Sequence, residues 1–174
     1  MSIFKKLFGC SDKSDNKSGN KKLDLEKLLL SEDINNCIIE IDNYICDLCS
    51  NGDEIDKLTE PQKQFYYNQC LEREINNGGF NQYFLNSSGD FAHQTVQSLR
   101  TIRANTTADI LQKAIDQFPD KKVPQDKTER QEILEQIQDS ADPLWEELDQ
   151  KIFSYEDDLN TLNIEYIRQF KDKF

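Results

Sequence analysis

The sequence predicts a single all-α domain, and three observations carry that prediction. Apolar residues recur at helical spacing along most of the chain, and no run of strict alternation is long enough to specify a sheet. Six glycines and four prolines in 174 residues, with 31% charged residues, suit helices better than a sandwich of short strands. The length fits one domain with a sizeable core. Seven or eight helices are expected over residues 23–174, after a basic, disordered tail at residues 1–22.

The tail holds six lysines against Asp12 and Asp15, net +4. Ile3, Phe4, Leu7 and Phe8 suit a brief amphipathic turn, and Cys10 to Lys22 has the composition of a linker. Lipid attachment at Cys10 is disfavoured, because no apolar region long enough for export precedes it. Leu23 to Leu30 reads as a short helix. Ser31 offers an N-cap to a long amphipathic helix carrying Ile34, Ile38, Ile41 and Ile45, which Asn51-Gly52 ends. Thr59-Glu60-Pro61-Gln62 has the spacing of a capping box and starts the next helix. Asp90 and Thr106 are the expected caps of two further helices. Thr128 opens another, Asp142-Pro143 begins a separate one, and Asn160 or Thr161 starts the last.

The formal charge of the chain is −12, and residues 23–174 alone carry 15 basic against 31 acidic side chains, net −16. That balance excludes direct binding to nucleic acid or to an anionic membrane, and it favours basic partners. Five cysteines, an odd number, come without a secretory signal peptide or a membrane span, which predicts reduced thiols and a cytoplasmic location. Cys46 and Cys49 have C-x-x-C spacing, but the apolar helical pattern around them predicts buried, inert thiols. No metal or cofactor is expected.

Between Leu71 and Asp90 the pattern changes. Glu74 lies in a charged segment that runs into Asn77-Gly78-Gly79-Phe80; Tyr83 and Phe84 follow at helical spacing from Phe80, and Gly89 closes the stretch. This reads as a helix end, a tight corner and a short buried helix. The segment resembles E-x-x-N-G-G-F-x-Q-[FY]-F-x-N-x-x-G, which recurs in a family of acidic bacterial proteins typified by a DNA mimic. Glu74, Asn77, Gly78, Gly79, Phe80, Gln82, Tyr83, Phe84, Asn86 and Gly89 match every specified position. Weaker similarity extends over roughly residues 60 to 170. The resemblance implies an all-helical, often dimeric protein whose acidic surface imitates DNA phosphates and occupies a DNA-binding protein. It also implies glycine where this chain has Arg103, so the end of that helix is expected to differ. The motif residues themselves read as determinants of the fold.

The candidate partner-binding surface lies downstream. Glu129, Glu132, Glu135, Asp139 and Asp142 recur at steps of three and four along the helix from Thr128, so they are expected to stack on one face. Neighbours on such a row lie about 5–6 Å apart, the order of the charge spacing along a DNA strand. Glu146, Glu147, Asp149, Glu156, Asp157 and Asp158 extend the patch. A purely solubilising face is the plain alternative. The expected partner is a basic DNA-binding protein, either a transcription factor or a nucleoid protein; the alternative is an immunity or antitoxin-like role against a basic toxin such as a nuclease. An enzyme is not expected: His93 has no nucleophile in a motif, and Glu72 and Glu74 point in different directions from one helix.

Overall fold

A computed structural model describes residues 23–174. The basic tail and Cys10 lie outside the described residues. The described residues form seven α-helices: α1 (Leu25–Leu29), α2 (Ile34–Leu48), α3 (Glu60–Leu85), α4 (Ala92–Thr101), α5 (Asn105–Ile115), α6 (Lys127–Ile152) and α7 (Leu159–Gln169). Short 3-10 turns fill three of the six connections between them, and no strand occurs among the described residues.

α3 is the axis of the molecule. It starts where expected: Thr59 accepts from the Gln62 amide, and the Gln62 side chain accepts from the Thr59 N–H, closing the capping box. Its first segment, with Phe65, Tyr66 and Cys70, packs with α2 and α7 into one core that holds Ile41, Ile45 and Ile167. Asn68 crosses that core and donates to Asn163 of α7 at 3.0 Å. Its second segment, with Phe80, Tyr83 and Phe84, packs with α4, α5 and α6 into another. Phe84 is the centre of that core, with the rings of Phe118 at 4.9 Å and of Tyr83 and Trp145 each at 5.2 Å. Trp145 is fully buried and gives its indole N–H to the Ala114 carbonyl, so no polar atom of that ring is stranded.

The double glycine divides the two segments, as the sequence predicts. Gly79 sits at φ 71°, ψ −166°, a region that side-chain-bearing residues avoid, so the backbone turns there before the helix resumes.

Several helix starts differ from expectation, and each has a local cause. Asp33, not Ser31, caps α2; the Ser31 hydroxyl instead accepts from the Asp33 N–H. Asp126 rather than Thr128 caps α6, and Asp158 caps α7 ahead of Asn160 and Thr161. In each case a carboxylate at the edge of the helix outcompetes a neutral side chain for the first-turn amides. Asp90 does not cap α4, because Arg130 holds it. Nor does Thr106 cap α5: Asp157 reaches over from fifty residues downstream to accept from both the amide and hydroxyl of Thr107.

Asp142-Pro143 does not start a separate helix either. α6 runs through an exposed Pro143, because Leu134, Ala141, Trp145, Leu148 and Ile152 keep one continuous buried stripe on either side of it. That burial offsets the hydrogen bond that proline removes. The end of α4 also keeps its usual form: Ala104 N–H bonds to the Leu99 carbonyl and Arg103 N–H to that of Arg100, with Arg103 itself at φ 68°. This is the helix ending that normally takes glycine, here forced on an arginine.

Candidate partner-binding surface

α6 presents one flank to the core and the other to water. Arg130, Leu134, Ala141, Trp145, Leu148 and Ile152 face inward, and Glu129, Glu132, Glu135, Asp139, Glu146 and Glu147 are exposed. Lys151 pairs with Glu147 at 2.5 Å, which holds the Glu147 carboxyl below its ordinary value. Among the described residues, no ion pair involves Glu129, Glu132, Glu135, Asp139 or Glu146.

The acids of the predicted row are exposed from Glu129 to Asp139, but the row is not straight. A step of three residues falls about 60° short of a full turn and a step of four overshoots by about 40°, so the row rotates by roughly 140° from Glu129 to Asp142. This brings Asp142 to the edge of the core, where it is half-buried and accepts from the Asn81 side chain at 2.8 Å. Asp149 follows it inward and accepts from the Phe80 N–H at 3.1 Å. Burial pushes its carboxyl up to about 6, against the Phe80 amide, and the charge of Glu146 adds to the rise. Glu156 and Asp158 are exposed beyond α6, although Asp158 is also the cap of α7. Asp142, Asp149 and Asp157 thus serve the interior of the molecule, and the outward surface consists of the other eight acids.

The residue that fixes α6 in place is a buried arginine. Arg130 has no exposed surface. Its Nε donates to the Phe84 carbonyl at 2.7 Å, and its terminal nitrogens donate to the carbonyls of Asn86, Pro124 and Gln125 and to the Asp90 carboxylate. Gly89 makes room for this: a Cβ there would stand 2.7 Å from the Arg130 Nε and 3.0 Å from the Phe84 carbonyl oxygen. The available signal was one arginine in phase with the apolar stripe of an otherwise acidic helix.

Glu74 has a comparable role across the corner. Its carboxylate accepts from the side chains of Gln82 at 2.7 Å and of Asn86 and Ser88 at 2.9 Å each, tying the first segment of α3 to the residues beyond the break. Three polar positions of the motif, Glu74, Gln82 and Asn86, are thereby one clamp; its aromatic positions are the second core. His93 likewise serves a loop, accepting from the Val123 N–H at 3.2 Å. Burial raises the Cys46 and Cys49 thiols above their ordinary value, in keeping with unreactive cysteines. Among the described residues, no helix is long and apolar enough to cross a membrane.

Fold and surface together define an all-helical acidic domain built on a glycine-broken central helix. The chain belongs to the DMP19-like protein family, whose model matches residues 56–170. The match runs from the turn before α3 to the end of α7 and leaves out α1 and α2. Nothing among curated proteins or solved structures matches the chain.

Proposed function

We propose that the protein works by binding rather than by catalysis: the outward flank of α6 stands in for DNA and occupies the DNA-binding surface of a basic protein. The observation that carries this reading is the run Glu129, Glu132, Glu135 and Asp139, exposed and without an ion pair among the described residues. Membership of a family typified by a DNA mimic supports it. Carboxylates this dense repel one another and gain most when a basic groove neutralises them. The two side chains that an enzyme reading would use, Glu74 and His93, are engaged in holding the corner and a loop.

The test is competition. A DNA-binding protein captured by the full chain should be released by duplex DNA, and its affinity should fall steeply as salt rises. Reversing Glu132, Glu135 and Asp139 to lysine should abolish capture while the helical circular dichroism is retained. Capture that survives the reversal, or a ternary complex in which the partner still holds DNA, would overturn the reading.

A further inference from the structure

We propose that the cleft beside the Gly78–Gly79 break receives an arginine side chain of the protein partner. This rests on the mimic reading above and names the anchor within it.

The cleft has a volume of about 410 Å³ and lies between the end of the first α3 segment and the last turns of α6, with Asn77, Gly78, Gly79, Glu146, Asp149 and Phe153 among its lining residues. Features of separate origin converge there. The break makes the residues up to Asn77 a helix C-terminus, whose carbonyls carry partial negative charge. Glu146 adds an exposed carboxylate, the half-buried Asp149 adds a second although one of its oxygens already accepts from the Phe80 N–H, and no lysine or arginine is among the lining residues. Phe153 leaves 38% of its surface in water on the same wall.

Each feature narrows the occupant. An anion is repelled by the helix end and by both carboxylates, and a neutral apolar group leaves them uncompensated. An ammonium answers the charge but presents no flat face to Phe153. A guanidinium does both, because it stacks on an aromatic ring while its edge donates to carboxylate and carbonyl oxygens. Burial is the main reason the Asp149 carboxyl is raised, and the charge of Glu146 adds a smaller share that a docked cation would relieve.

The test uses the full chain, nitrogen-15 labelled, with hexa-arginine and hexa-lysine peptides as probes. Hexa-arginine should move the amide resonances of Gly78, Gly79 and Phe80 and bind several-fold more tightly than hexa-lysine. Glu146→Gln and Phe153→Ala should each weaken hexa-arginine about fivefold, the size expected for losing one charge or one stacking contact. Glu132→Gln, remote from the cleft, should weaken both peptides equally. Resonance shifts confined to the first half of α6, equal binding of the two peptides, or unchanged affinity in Phe153→Ala would each overturn the anchor. If these results hold but lysine reversal of Glu132, Glu135 and Asp139 leaves partner capture intact, the mimic reading fails instead.

Discussion

On the inner flank of α6, Arg130 has no exposed surface and shares its donors among four carbonyls and Asp90, whereas Glu132, Glu135 and Asp139 on the outer flank stand in water with no ion pair among the described residues. One helix therefore carries two kinds of charge. The inner charge is satisfied within the fold, and removing it would strand the groups it holds. The outer charge has no ion-pair partner among the described residues and faces solvent.

Arg130→Met offers the largest break of this contrast. It strands four carbonyls and a half-buried carboxylate, and it should cost about 3–5 kcal/mol in urea denaturation. Gly79→Ala comes next, at about 2–4 kcal/mol. The added methyl meets the Asp149 carboxylate, and alanine cannot relax at φ 71°, ψ −166°. Arg103→Gly should move the other way by about 0.5–1 kcal/mol, since it relieves a left-handed residue without touching either flank.

The pH dependence is subtler. The folded carboxyl of Asp149 sits at about 6, above its unfolded value of roughly 3.9, so in between the native state holds a proton that the unfolded state has lost. Stability from this group is therefore full below about pH 4 and declines as pH rises through about 6. Glu72, pushed up to about 7 by burial and by the charges of Asp42 and Asp158, acts with the same sign. Asp149→Asn should flatten the fall of denaturation midpoint between about pH 4 and 6 and leave the part due to Glu72. The smallest effect should come from the outer flank. Neutralising Glu132, Glu135 and Asp139 to amides should raise the melting temperature by roughly 1–2 °C at low ionic strength and by nothing at high salt. A loss of several degrees would mean that the outer acids belong to the fold after all.

Much of the fold was legible because its signals are local. The apolar spacing of α2 and α5, the Thr59–Gln62 box and the glycine break all act within a few residues. The features that escaped were long-range. Asp142, Asp149 and Asp157 look like their exposed neighbours in sequence, and only Asn81, Phe80 and Thr107, fifty or more residues away, give them internal work. Pro143 looks like a helix boundary until the buried stripe on both sides of it is seen. The outward part of the candidate surface was legible because an exposed charge needs no partner to be placed. The position of Arg130 was not, because its acceptors are carbonyls that every residue carries.

The break in α3 has one more consequence. In an uninterrupted helix, adding or losing a residue rotates everything downstream by about 100°, so every face is locked to every other. The turn at Gly78–Gly79 resets that phase. The residues before the break, which serve both cores, and those after it need not share a periodicity, while the Glu74 clamp keeps the two joined. Two glycines thus let one helix serve both cores without a single periodicity along its length.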